Sequence, residues 1–192
     1  PDLATGSVKA ELAVNAAGDQ IWTNGDNTVT KFADGSMHIT RADKSETFRS
    51  ADGTETKHTY APGSSIKEVV VNVDGSKKVT LTNGNTQTQE ANSSIIVERN
   101  KDGQIINTVK GSMAVDDKGN VTQLNLETKQ ATVFNSNGNV TTGLKAQVDT
   151  EGKITGYTNS NGNDVILKEI GGKDPSKLGP EIGLGKTEQG SA

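Results

Sequence analysis

The two histidines, His38 and His58, are the side chains of this chain that are best suited to proton or metal chemistry near neutral pH. They lie twenty residues apart, about two of the nine-to-ten-residue repeats described below, which predicts equivalent strand positions for both. If both pointed at a threefold axis, three copies of the chain could bind an anion or a metal. An exposed or cross-strand side chain explains the same spacing and is the interpretation adopted. No catalytic, cofactor-binding or metal-binding residue is therefore assigned.

Two other groups resemble binding motifs only in part. Asp116, Asp117 and Asn120 look like part of a calcium loop, but the Asp-x-Asp-x-Asp-Gly frame and the distal Glu are missing. A polar turn is the expected structure there. Residues 183–187 are similar to the end of a phosphate loop, but the first glycine is misplaced and no buried strand precedes them.

The composition argues against catalysis and against nucleic-acid binding. With two His and no Cys, the chain supports no Ser/His/Asp or Cys/His grouping. A sugar-cleaving site would need a stacking cleft, and Trp22, Tyr60 and Tyr157 are scattered along the chain. The net charge is -4 with the two signs interleaved, so no basic stripe exists. We expect a protein that is not an enzyme, has no cofactor and does not bind nucleic acid.

Turn glycines provide the main structural signal. They recur about every nine or ten residues, mostly in Asp-Gly or Asn-Gly pairs, and five-to-eight-residue runs rich in Thr, Val and Ile lie between them. Such runs predict one strand per repeat. Only 30% of residues are hydrophobic and 3% are aromatic, which is enough for a narrow core but not for an ordinary one. We expect an elongated all-β protein.

The pattern divides the chain into three parts. Residues 1–20 are predicted to form an N-terminal strand or connector segment, and residues 21–170 a repetitive β shaft. Residues 171–192 are rich in Gly and Pro and lose the alternation, so they are expected to be a C-terminal tail or linker.

The serial short strands resemble the β-helical part of trimeric cell-puncturing spikes in contractile phage tails and related secretion systems. The resemblance is carried by residues 36–41, 54–60, 78–82, 94–99 and 121–126, with small polar corners between them. It implies an intertwined homotrimeric β-helix or β-prism. The implied function is that of a structural shaft that contacts or penetrates a cell envelope and binds other tail or baseplate proteins. The implied location is the virion or the extracellular space.

The shaft needs inward-facing apolar residues, and alternation supplies candidates. They are Met37, Ile39, Val69, Val71, Val79, Leu81, Ile95, Val97, Ile105, Val109, Leu124 and Leu126.

A single-layer antiparallel β-meander is the alternative architecture. Strands that end in Asp-Gly also look like the Gly-box domain of a centriole assembly factor and like some bacterial surface lipoproteins. Cross-strand ladders of charged and Thr side chains would hold such a sheet, and suitable residues are Glu55, Lys57, Thr80, Thr82, Glu98 and Lys110. This architecture implies a scaffold or a surface binding module. A carbohydrate-degrading tail-spike enzyme is the third and least favoured function.

Overall fold

The computed structural model describes residues 11–177, and they form one antiparallel sheet of 16 strands. The strands are β1 (Glu11–Val14), β2 (Gln20–Asn24), β3 (Asn27–Lys31), β4 (Met37–Thr40), β5 (Glu46–Arg49), β6 (Glu55–Thr59), β7 (Ile66–Asn72), β8 (Lys77–Leu81), β9 (Thr86–Gln89), β10 (Ile95–Arg99), β11 (Ile105–Val115), β12 (Val121–Asn125), β13 (Gln130–Phe134), β14 (Val140–Val148), β15 (Ile154–Thr158) and β16 (Asp164–Val165). Two short 3-10 helices follow, η1 (Leu167–Ile170) and η2 (Pro175–Lys177). In the described part of the chain, no helix is long and apolar enough to cross a membrane.

The strand order is the chain order throughout, so every strand pairs with the strands before and after it. Tight turns make this possible. At the turn between β3 and β4, Gly35 adopts a φ of 94° and the Asp34 carboxylate accepts bonds from the backbone N–H and the hydroxyl of Ser36. Gly is the residue that reaches such a φ without a steric penalty. The glycine rhythm therefore counts hairpins.

The sheet changes direction inside β11. Residues 105–110 of this strand pair with β10, whereas residues 111–115 pair with β12. A Cβ on Gly111 would lie 2.8 Å from the Leu124 carbonyl oxygen and 3.1 Å from Cδ1 of Ile96, so only glycine fits at the corner. We call β1–β10 with residues 105–110 the N-terminal arm, and residues 111–177 the C-terminal arm.

Gln89 secures this corner. Its side-chain amide donates to the carbonyl oxygens of Ser93 and Gly111 at 2.9 and 3.0 Å, and its Oε1 accepts from the Met113 N–H at 3.0 Å. The buried amide thus takes the place of a peptide group beside β11 where the pairing with β10 has stopped. Buried backbone groups need such partners.

The corner folds the C-terminal arm back onto one face of the N-terminal arm. That inner face contributes Val69, Val71 and Val79 to the core, and β11 contributes Met113 and Val115. All five are buried, with relative exposures of 2% or less. The opposite, outer face of the N-terminal arm remains partly exposed, as in a solvated antiparallel sheet.

A second core lies on the far side of the C-terminal arm. Leu124, Leu144 and Tyr157 pack there against Leu167 of η1. The predicted tail begins with packed residues rather than free chain, because Gly172 and Pro175 are buried and the Tyr157 hydroxyl lies 3.0 Å from Asp174 Oδ1. Residues 178–192 lie outside the described part of the chain, as do residues 1–10 of the predicted N-terminal segment.

The all-β prediction is confirmed, and the meander given as the alternative is the architecture observed. The structure does not show the intertwined trimer, because each strand finds its hydrogen-bonding partners within its own chain. The scarcity of aromatics that favoured a shared axis has a different explanation. The chain folds its thin sheet onto itself, and Val, Ile and Met side chains fill most of the space between the arms, with Tyr60 and Phe134 packed against them.

The inward-facing residues are predicted correctly only in part. Val69, Val71, Val79 and Leu124 are buried, but Ile95 and Val97 lie on the outer face, where Ile95 pairs with Lys110. Ile96 is the buried residue of β10.

Candidate functional site

A cluster of polar side chains fastens the arms together. Cross-strand pairing places Thr47 opposite His58 on the inner face. Thr47 Oγ1 accepts a bond of 2.8 Å from Nη2 of Arg41 and shares one of 2.8 Å with Nδ1 of His58. The Tyr60 hydroxyl donates to the Gly119 carbonyl oxygen at 2.6 Å. Because Gly119 belongs to the turn between β11 and β12, the Tyr60 bond ties the end of β6 to the C-terminal arm, and Arg41 Nη2 also donates to the Asp117 carbonyl oxygen at 3.3 Å.

Burial dominates the electrostatics of this cluster. It lowers the pKa of His58 to about 3, with smaller contributions from the positive charges of Arg41 and Lys173. It also raises the pKa of Tyr60 and of the Asp116 carboxyl, and lowers that of Arg41. His58 has no exposed surface, and its Nε2 finds no hydrogen-bond partner among the described residues. His58 is therefore enclosed by protein and acts as a structural contact, whereas Arg41 is only half-buried and lines a cleft together with Asp43.

The two histidines lie on opposite faces of the sheet, so the prediction of equivalent positions is wrong. His38 pairs with Phe48 on the outer face, stacks on its ring at 4.2 Å and lies 2.6 Å from a Glu46 oxygen. It is the laddered side chain that the adopted interpretation describes. His58 is instead fully buried. Twenty residues do not preserve the face, because the number of residues in each turn varies.

The partial calcium motif forms a polar turn. Asp116 Oδ1 accepts from the backbone N–H of Lys118 and of Asn120, and Asp116 Oδ2 accepts from the Asn120 amide at 2.7 Å. Among the described residues, no group of three or more His, Cys, Asp or Glu could hold a metal ion. The similarity to a phosphate loop at residues 183–187 lies outside the described residues.

The inner face has a part that the C-terminal arm does not cover. Through β1–β4 the cross-strand pairs align Leu12, Trp22, Val29 and Ile39 in one row. Leu12 is 55% exposed, Trp22 and Ile39 are half-buried, and Val29 is buried. A partly exposed apolar row on an otherwise polar sheet is a candidate interaction surface. We call this region the uncovered face.

The row beside it carries positive charge. Pairing aligns Val14, Gln20, Lys31, Met37 and Arg49 across β1–β5, two residues along each strand from the apolar row. Residues two apart on a strand lie on one face, about 6.7 Å from each other. The uncovered face therefore presents an apolar row and a basic row side by side.

A cleft of about 830 Å³ lies where the uncovered face meets the C-terminal arm. Ile39 and Asn27 lie on one side of it, and Asn137, Asn139 and Ile170 on the other. The cleft continues the apolar row of the uncovered face toward the polar side chains of the β13–β14 turn.

The sequence did not predict a functional role for any residue of the uncovered face. Met37 and Ile39 were predicted as inward-facing core residues of the shaft. Lys31 and Arg49 are eighteen residues apart in sequence and join one row only through the register of β3, β4 and β5. The alternation in each strand contained this signal, but reading it requires the pairing of successive strands.

No protein-family model matches the chain, and no curated protein does. Among solved structures, the G-box domain of the microcephaly protein CPAP is similar, with 17% identity, 81% of this chain and 96% of that chain covered, and a TM-score of 0.43. The TCP10 domain of Danio rerio CPAP has 15% identity, coverage of 81% and 98%, and a TM-score of 0.43. The TCP10c domain of Drosophila melanogaster Sas-4 has 12% identity, coverage of 68% and 96%, and a TM-score of 0.41.

The recognition of the chain as a tail spike is wrong. The strands follow one another in an open meander, whereas a spike shaft interweaves three chains. The similar structures are domains of centriole proteins, not of phage tails. The predictions that depended on the spike, namely a viral cell-puncturing protein in the virion or extracellular space, are corrected with it.

Proposed function

We propose that this chain is a non-enzymatic β-sheet scaffold that binds a protein partner through its uncovered face. The observation that carries the proposal is the apolar row of Leu12, Trp22 and Ile39, which continues the inner face beyond the part that the C-terminal arm covers. Over β6–β8 the same face is buried by sheet packing. A second protein surface would cover the remaining part in the same way.

The rest of the molecule supports a scaffold. Buried and partly buried hydrogen bonds fix the corner and the arm contact, among them the three of Gln89 and that of Tyr60. Such bonds hold the two arms in one arrangement, and a preformed surface loses little conformational entropy on binding. His58, the histidine at the arm contact, is enclosed by the protein and has no access to a substrate.

The test compares two matched surface changes in partner capture from an extract of the source cells. Leu12→Asp puts a charge on the uncovered face, and Ile105→Asp puts one on β11, where the side chain is similarly exposed at 59%. We expect a protein that is retained by the parent chain and by Ile105→Asp but lost by Leu12→Asp. A captured set that Leu12→Asp leaves unchanged contradicts the proposal.

A further inference from the structure

The basic row of the uncovered face has charges that the protein itself does not neutralise. Of the three arginines in the chain, Arg41 and Arg99 donate hydrogen bonds to threonine hydroxyls. Within residues 11–177, Arg49 donates none, and its Nε is buried without a partner. No described carboxylate forms an ion pair with Arg49 or with Lys31. Two cations on one face therefore remain available to a ligand.

The Nε of Arg49 has no solvent-exposed surface, so a ligand meets the two terminal nitrogens of the guanidinium. These two nitrogens can together donate to the two oxygens of a carboxylate. Arg49 is thus suited to a carboxylate that approaches from the uncovered face. Lys31 lies two strands away in the same row, about 10 Å from Arg49 at the usual strand spacing, and its ammonium group can bind a second carboxylate.

The apolar row fixes what else the ligand must carry. Leu12, Trp22 and Ile39 run parallel to the basic row across β1–β4. A ligand that covers both rows needs apolar side chains along one line and acidic ones beside it. Four strand spacings from β1 to β5 span about 19 Å, the length of about 13 helical residues.

Charge also argues against a second copy of this chain as the occupant. In a face-to-face pair, Lys31 and Arg49 of one copy would face a surface that carries the same two cations. Like charges opposed across an interface cost free energy.

We propose that the uncovered face binds an acidic amphipathic segment of a partner protein, with its apolar side chains on Leu12, Trp22 and Ile39 and its carboxylates on Lys31 and Arg49. This inference rests on the proposed function and specifies the chemistry of the partner.

The test uses three synthetic peptides of about 14 residues and the whole chain. The first has a leucine stripe flanked by glutamates, the second has lysines in place of the glutamates, and the third has serines in place of the leucines. Binding is measured by fluorescence anisotropy at low and at raised salt. We expect the first peptide to bind, with an affinity that falls at least about fivefold at raised salt. The other two peptides should bind at least about tenfold more weakly than the first.

Variants assign the site. Lys31→Glu changes an exposed side chain of the basic row, and Lys78→Glu changes an exposed one on the outer face. We expect Lys31→Glu to lower the affinity for the glutamate peptide about tenfold or more, and Lys78→Glu to change that affinity less than about twofold. Arg49→Gln should weaken it as Lys31→Glu does, and its unfolding curve shows whether it is folded.

Several results overturn the inference. They are equal binding of the lysine peptide, equal effects of Lys31→Glu and Lys78→Glu, no binding of the glutamate peptide up to about 1 mM, and self-association through this face by light scattering. If a captured partner depends on Leu12 but not on Lys31 or Arg49, the acidic partner is wrong and the scaffold function stands. If no partner depends on Leu12, the scaffold function itself fails.

Discussion

His58 makes the contact between the arms sensitive to acid. Burial keeps the imidazole neutral and lowers its pKa to about 3 in the folded protein, against about 6.5 in an unfolded chain. Between these values the unfolded state binds a proton that the folded state does not. Stability is therefore lost as the pH falls from about 6.5 toward 3, and it is fully retained above that range.

The expected size follows from the two pKa values. Between about pH 8 and about pH 5, His58 alone removes about 2 kcal/mol from the free energy of unfolding. Asp116 acts in the opposite sense, because burial raises the pKa of its carboxyl and its contribution to stability grows as the pH falls. The pH dependence of the parent chain alone thus does not isolate His58, and a variant is needed.

His58→Gln removes the titrating group and keeps a polar side chain beside Thr47. Urea unfolding, followed by circular dichroism at both pH values, gives the loss of stability on acidification for each protein. We expect this loss to be about 2 kcal/mol larger in the parent chain than in His58→Gln. His38→Gln is the matched control, because it also removes a histidine but leaves His58 in place, so its loss on acidification should be larger than that of His58→Gln. An equal loss in His58→Gln and the parent would refute the reasoning.

Three further changes test the corner and the packed C-terminal segment. Gly111→Ala should lower the free energy of unfolding by about 1–3 kcal/mol, because the new methyl group meets a carbonyl oxygen at 2.8 Å. Gly156→Ala is the control, because its new Cβ meets nothing within 4 Å, and it should be near neutral in the same urea titration. An equal loss of stability in both variants would contradict the tight packing at Gly111. Gln89→Leu removes the partner of three backbone groups, two of them buried, and should cost about 2–4 kcal/mol by that assay; a neutral result would show that they find other partners. Tyr157→Phe removes the bond to Asp174 and should speed amide hydrogen exchange in residues 166–177 about fivefold, whereas unchanged exchange would show that the bond does not hold the segment.

The local structure could be predicted from the sequence because it depends on local chemistry. Asp34-Gly35 and the similar pairs fix their turns through a positive φ and a side-chain bond to the next residue. The face to which each residue of a strand points is harder to predict where apolar residues are consecutive. Ile95, Ile96 and Val97 give no alternation, and the choice of the wrong residue inverts the face of the whole strand.

The fold-back is a long-range property, which the repeat pattern does not contain. The Ser136 hydroxyl donates to Asp43 at 3.1 Å across 93 residues of sequence. Gly111 directs the chain there without an Asp-Gly or Asn-Gly pair, and its φ is not positive. A shortage of large side chains favours a trimer only if the sheet of one chain cannot cover itself. Here the C-terminal arm covers part of the N-terminal arm, so no second copy is needed.

The candidate site depends on the pairing of successive strands and on the fold-back of the C-terminal arm. The apolar row needs the pairing register of β1–β4, which places Leu12 and Trp22 on the face of Val69. Its exposure needs the position of the C-terminal arm, which covers β6–β8 and stops short of β1. Neither quantity can be obtained from the alternation of a single strand.

The arm contact decides which part of the inner face stays uncovered, so the most direct measurement tests that contact. The chain contains no cysteine, and Asp43→Cys with Ser136→Cys therefore introduces one thiol pair at the point where the arms meet. Treatment with a short thiol-reactive crosslinker should join the two within one chain and keep the product at the monomer mass of 20.1 kDa. Crosslinked oligomers, or no crosslink in a folded protein, would contradict a sheet folded back on itself.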